Sequence, residues 1–160
     1  MQKSQRKLII KNLNLHDVML EWGSGGSTLE FSNFVDQYYS IEHDEEWYDK
    51  VTNELNNNVK IYLVKPNKKK WKKPVKRKQF KDYIKYVHQI VKENRILKFD
   101  KVLIDGRARV YCTEEILTYL HDDSLIFVHD WQRLRYRKIL KNYQIVETDD
   151  TGKLAILKKY

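Results

Sequence analysis

Cysteine is almost missing: Cys112 is the only one in 160 residues. An internal disulfide and a cysteine-based zinc site are therefore excluded, which suits a reducing compartment. The plainest role for a lone Cys112 is a small buried side chain. Long apolar runs are missing as well. The N-terminal stretch Met1–Lys11 is polar and basic, and no segment approaches the roughly 18 apolar residues of a membrane span. The expectation is a cytoplasmic protein with no membrane partner. Glycine is scarce, with five in the chain, and three of them stand together at 23, 25 and 26. Acidic residues are absent from 65–81, where ten of the residues are Lys or Arg. No internal repeat is visible.

What is present suits one compact domain over 1–160. The mass is 19.5 kDa, with 41% hydrophobic and 12% aromatic residues, enough to bury a core at this length. The net charge of +9 is concentrated in the 65–81 loop. Such a run fits an anionic partner, namely nucleic acid, a phosphorylated sugar or an acidic glycan, but it equally fits a solvated surface loop. Trp71 within it could stack on a base or a sugar ring, although a single aromatic is weak support.

Periodicity divides the chain into alternating elements. Asp17–Leu20 is apolar and runs into Glu21-Trp22-Gly23-Ser24-Gly25-Gly26-Ser27-Thr28, after which Leu29, Phe31, Phe34 and Val35 recur at helical spacing. Gln37–Glu42 reads as a second strand and Glu45–Leu55 as a helix. Val59–Val64 is a third strand, and Phe80–Glu93 a helix with Tyr83, Ile84, Val87, Ile90 and Val91 on its apolar side. A fourth strand, Lys101–Ile104, ends in Asp105-Gly106. Thr113 is expected to cap a helix running to about Leu120, with Glu114 and Glu115 in its first turn. Ser124–Val128 is the fifth strand, followed by His129-Asp130-Trp131 and a helix through Leu134, Ile139 and Leu140. Gln144–Thr148 and Leu154–Leu157 form a hairpin across Asp149-Asp150-Thr151-Gly152. Strands alternating with helices predict an α/β fold: a mostly parallel sheet covered on both faces, with one antiparallel strand at its C-terminal edge.

A strand that enters a glycine turn and then a helix brings bare backbone and free amides up to a ligand. Taken alone, such a turn is equally a tight connection. Glu42 adds to it: an acid about twenty residues on, at the next strand's end, suits the two hydroxyls of an adenosine ribose. Glu21 would sit awkwardly against a pyrophosphate, whereas its carboxylate can accept from an amino group such as that of a methionine moiety. That contrast favours a methyl donor over a dinucleotide.

Glu21–Thr28, Ile41-Glu42-His43-Asp44 and Asp105-Gly106-Arg107-Ala108-Arg109 together resemble motif I and the following landmarks of class I S-adenosylmethionine-dependent methyltransferases. Val128-His129-Asp130-Trp131 with Arg133 is similar to a small branch that includes glucuronoxylan methyltransferase-like enzymes and viral glycan methyltransferases. The resemblance spans about Asp17 to Leu157. It implies a Rossmann-like, seven-stranded sheet of order 3-2-1-4-5-7-6, with the cofactor across the carboxyl ends of the first, second and fourth strands. The cofactor residues it implies are Glu21, Gly23, Ser24, Gly25, Gly26, Ser27, Thr28, Glu42, His43, Asp105 and Gly106. Relatives often carry extra N-terminal helices over the site; none is expected in this shorter N-terminal segment.

Six polar residues fall beyond the later strand ends, where open α/β sheets bind ligands. His129 is the candidate base for removing an acceptor's hydroxyl proton, or else a histidine that only bonds backbone. Asp105 and Asp130 could share Mg²⁺ or Mn²⁺; alternatively Asp105 touches the cofactor and Asp130 caps a helix. Arg107, Arg109 and Arg133 could clamp an acceptor's carboxylate or phosphate. Arg135 and Arg137 read as helix surface, and Tyr136 as core or pocket wall. The leading expectation is an O-methyltransferase for a sugar or glycan hydroxyl, with Asp105, His129 and Asp130 catalytic. An RNA ribose methyltransferase is the second reading, although no Lys-Asp-Lys-Glu tetrad can be assembled. A non-catalytic binding domain is the third.

Overall fold

The computed structural model describes residues 1–68 and 75–160. Seven strands form a single sheet of order β3-β2-β1-β4-β5-β7-β6, the order that the resemblance implies. They are β1 (Val18–Trp22), β2 (Gln37–Glu42), β3 (Val59–Leu63), β4 (Phe99–Ile104), β5 (Leu120–His129), β6 (Tyr143–Thr148) and β7 (Leu154–Lys159). The first five pair in parallel, whereas β7 runs antiparallel to both β5 and β6. The reversed strand therefore sits one place in from the edge, inserted by the hairpin between β5 and β6.

Alternation along each strand sorts side chains onto two faces. Leu20, Trp22, Ile41, Val102, Ile104 and Val128 point into a core covered by α4 (Lys81–Asn94), α5 (Arg109–Ile116) and a 3-10 helix at Leu134–Lys141. Met19, Tyr38, Leu103, Phe127 and Ile156 face the opposite core, with Ile9 of α1 (Lys3–Lys11) and Phe31 of α2 (Gly26–Phe31). The remaining α-helix, α3 (Glu45–Thr52), is started by Asp44, whose carboxylate accepts from Trp47 N at 3.2 Å.

Four local expectations need correction. The N-terminal segment is helical: Ile9 is fully buried, and Gln5 donates to Asp149 Oδ2 at 3.2 Å, tying α1 to the β6–β7 turn. β1 continues through Glu21 and Trp22 because both pair with β2 and β4. Thr113 caps nothing. α5 starts at Arg109 behind Ala108, and Thr113 lies inside it, donating back to Val110 O at 2.8 Å. The helix starts early because Arg109 Nε donates to Gly106 O at 3.0 Å, which winds the chain immediately after the strand. Finally, the segment after Trp131 winds as a 3-10 helix rather than an α-helix. Part of the basic loop and Trp71 lie outside the described residues; Lys65, Lys76 and Arg77 lie within them. Cys112 is buried in the core, where burial pushes its thiol pKa up and leaves it inert.

Candidate active site at the carboxyl edge of the sheet

Strand parity assembles this site. Glu21 pairs with Ser40 on one side and Leu103 on the other, and Leu103 pairs with Phe127. Two residues on from these positions, Glu42, Asp105 and His129 emerge on that same face, at the tips of β2, β4 and β5. The glycine turn leaves β1 in their midst.

Two kinds of glycine stand here. Gly23, at φ +100, lies against the β4 tip, where an added Cβ would come within 2.5 Å of Gly106 backbone. Gly106 is equally tight, since its Cβ would meet Trp22 O at 2.9 Å and the Tyr83 hydroxyl. These two glycines let β1 and β4 close, with Asp105 N and Gly106 N both donating to Trp22 O at 3.0 and 2.6 Å. Gly25, which is buried, and Gly26, which is exposed, differ: among the described residues nothing lies within 4 Å of either Cβ position. Space over these two residues is open, as a ligand on the turn's backbone requires.

Glu42 is 1% exposed and turned onto the glycine turn. Its Oε2 accepts from Ser24 N at 2.7 Å, and its Oε1 from His43 N at 2.7 Å and Asp44 N at 2.8 Å. With two acceptor positions per oxygen, Oε2 retains one. His43 packs edge-on to Tyr83 and tilted on Phe80, with ring centroids 5.6 and 5.7 Å away. It also borders a cleft of about 380 Å³ with Asp44, Glu45, Glu46, Lys65 and Pro66.

Glu21 has a different role from the one expected. It is fully buried, and its carboxylate accepts from Ser27 Oγ at 2.5 Å, Thr28 Oγ1 at 2.6 Å and Ser40 Oγ at 2.9 Å. The carboxylate is turned inward onto these hydroxyls and pins the start of α2 to β2, so it is not presented to an amino group at the surface. Burial pushes its pKa up to about 7, against the pull of the three hydroxyls. Ser40, which also bonds Ser24 Oγ at 2.7 Å, was not foreseen. Its only signal is a small polar residue among the large apolar ones of a buried strand.

At the other end, Asp105 Oδ1 and His129 Nδ1 are 2.8 Å apart. An ionised Asp105 puts the ring proton on Nδ1 and the basic lone pair on Nε2, which has no partner among the described residues. His129 is therefore oriented by a carboxylate rather than merely bonded to backbone. Asp130, at φ +59, sits in the left-handed region that non-glycine residues rarely occupy, at the mouth of this site.

Arg109 is not a substrate clamp. It is buried, and its guanidinium donates to Asp105 O at 2.7 Å and to His129 O while lying 3.2 Å from Asp105 Oδ1 and 3.1 Å from Asp130 Oδ2. The same position answers the expected metal. A fixed cation of the protein occupies the space between the two carboxylates, and Asp130 is further neutralised by Arg133 at 2.9 Å. Among the described residues no three His, Cys, Asp or Glu converge as metal ligands. The residues do not fit a divalent ion, and Asp130 positions arginines instead of capping a helix.

Beyond Gly106, Arg107 and Asp130 opens a cleft of about 720 Å³, walled by Arg133, Arg135, Lys138, Lys141, Tyr111 and Tyr136 among others. It adjoins His129 through Asp130 and has the size of a small-molecule site.

A comparison of this architecture with solved structures decides what fold it is. A methyltransferase-like protein from Silicibacter pomeroyi matches with TM-score 0.73 at 20% identity, over 99% of this chain and 86% of the other. The fold is the Rossmann-like methyltransferase fold. An rRNA methylase from Streptococcus thermophilus shares it at TM-score 0.64 and 10% identity, over 99% and 98% of the two chains. So does a precorrin 8W decarboxylase from Methanobacterium thermoautotrophicum, at TM-score 0.64 and 16% identity, over 100% and 91%. No protein-family model matches the sequence, and no curated protein matches it. At these identities the methyltransferase fold is what is shared, and the chemistry must be argued from the site.

Proposed function

We propose that the chain is an S-adenosylmethionine-dependent O-methyltransferase acting on a hydroxyl of an anionic sugar or glycan. One observation carries the reading: Glu42 and the Asp105–His129 pair stand on one sheet face, on either side of a glycine turn whose outer surface is open. The residues fit the cofactor. Gly25 and Gly26 leave room for it over the turn, buried Glu42 fixes the amides of Ser24, His43 and Asp44 behind that space, and His43 stands at the adenosine end.

When bound, S-adenosylmethionine would supply an electrophilic methyl, its carbon–sulfur bond breaking to leave the neutral thioether S-adenosylhomocysteine. The chain's own part is the proton. His129 Nε2 takes the acceptor's hydroxyl proton as the oxygen gains its bond to carbon. Asp105 holds the ring through Nδ1–H and stabilises the charge that develops. Arg109 is a positioning residue that fixes both Asp105 and the His129 carbonyl. Arg107 and Arg133, on the cleft wall, are assigned to the acceptor's anionic group.

Transfer of labelled methyl to acidic oligosaccharides, neutral oligosaccharides and RNA tests this reading. Methylation of an acidic oligosaccharide, lost in His129→Gln with cofactor binding retained, is the expected result. Turnover that survives in His129→Gln, or that is confined to RNA, contradicts it.

A further inference from the structure

The 3-10 helix at Leu134–Lys141 runs for eight residues, where three or four are usual. With three residues per turn, every third side chain stands above the last, about 6 Å away. One column, Tyr136 and Ile139, is buried. A second, Arg135, Lys138 and Lys141, is exposed and lines the 720 Å³ cleft. Arg137 belongs to the third column and lies over the Trp131 ring, 4.6 Å from its centroid, away from the cleft. An α-helix would fan the three cleft cations across about 120°.

The acids near this column are already neutralised. Asp130 is paired with Arg109 and Arg133, and Glu114, on the facing wall, is paired with Arg77 at 2.9 Å. Among the described residues none of Arg135, Lys138 and Lys141 has an ion-pair partner, so the column's charge is uncompensated within a concave wall, where fields concentrate.

We infer that this column is an anion ladder that holds successive negative charges of a linear acceptor, at least two of them about 6 Å apart, leading away from the reacting hydroxyl. The occupant is an acidic oligosaccharide. Single-stranded nucleic acid binding adds open aromatic faces for bases, and among the described residues both cleft tyrosines carry a guanidinium over the ring. Arg77 lies over Tyr111 at 5.6 Å, and Arg109 and Arg135 over Tyr136 at 5.4 and 5.0 Å. The inference rests on the acceptor reading above and extends it from one anionic group to a row of them.

Calorimetric titration of the whole protein with trigalacturonate, monogalacturonate and oligouridylate tests it, with S-adenosylhomocysteine titrated in parallel. Lys138→Ala and Lys141→Ala should each weaken trigalacturonate about fivefold, Arg137→Ala less than about twofold, and the monomer should bind about tenfold more weakly than the trimer. Equal losses in Arg137→Ala, equal affinity for monomer and trimer, or tighter binding of oligouridylate than of trigalacturonate overturns the ladder. Column-dependent trigalacturonate binding without S-adenosylhomocysteine binding removes the methyl-transfer reading and leaves the ladder standing. The converse removes the ladder alone.

Discussion

Glu21 and His129 show how burial and partners give two titratable residues different work. Glu21 takes up a proton on folding, since its pKa rises from the ordinary carboxylate range to about 7. The folded state therefore binds more protons than the unfolded one between those values, and stability falls as pH rises through that window. Glu21→Gln, which stays neutral, should gain on the wild type from pH 4.5 to 7, by up to about 3 kcal/mol, and the gap should flatten above. Chemical denaturation across that range measures it, and a gap independent of pH contradicts the assignment. For His129, geometry decides: with Nδ1 engaged by Asp105, His129→Ala should lower turnover about 100-fold or more while cofactor affinity stays within about twofold. The place of His129 at the tip of a strand, beside Asp105, was readable from sequence. The inward turn of Glu21 was not, because it depends on Ser40 from the neighbouring strand and on how α2 brings Ser27 and Thr28 back over β1.

Elements explain why the glycines of the turn are not equivalent. Gly23→Ala pushes a methyl into Gly106 backbone from a left-handed φ. It should cost several kcal/mol, on the order of 3, or prevent folding. Gly25→Ala meets no protein atom and should unfold at nearly the wild-type midpoint, yet weaken S-adenosylhomocysteine about tenfold or more, since the methyl stands in the ligand's space. Thermal unfolding beside calorimetry separates the two, and a Gly25→Ala protein that binds normally argues against a ligand over the turn. The succession of seven strands was legible from spacing, including the hairpin turn that Gly152 and the aspartates before it mark, whereas helix α1 and the inward place of β7 were not. The α5 start was not legible. Thr113 followed by two glutamates has a capping pattern, but the Arg109 bonds to Gly106 and Asp105 begin the helix four residues earlier. The 3-10 winding of Leu134–Lys141 was hidden for a related reason, as Tyr136 and Ile139 fit either helix and only packing chooses.

The whole molecule joins a wedge of fixed charge pairs to a sheet edge. Arg109 lies where a metal was expected, which makes chelators an informative control: methyl transfer should be unchanged by chelation and by added Mg²⁺. A chelator-sensitive rate contradicts the placement of that guanidinium. Parity of the strands made the location of Glu42, Asp105 and His129 on one face derivable from sequence, whereas the Asp105–Arg109–Asp130 bridge depends on how the β4 and β5 loops fold back on each other. The central claim, that an adenosyl ligand lies over the glycine turn that Glu42 holds through Ser24 N, is tested most directly by calorimetric titration of S-adenosylhomocysteine into wild type and Glu42→Ala. The account predicts one site per chain in the wild type and a loss of about tenfold or more in the variant. Folded wild type that takes up neither this ligand nor S-adenosylmethionine, or equal binding in the variant, would contradict it.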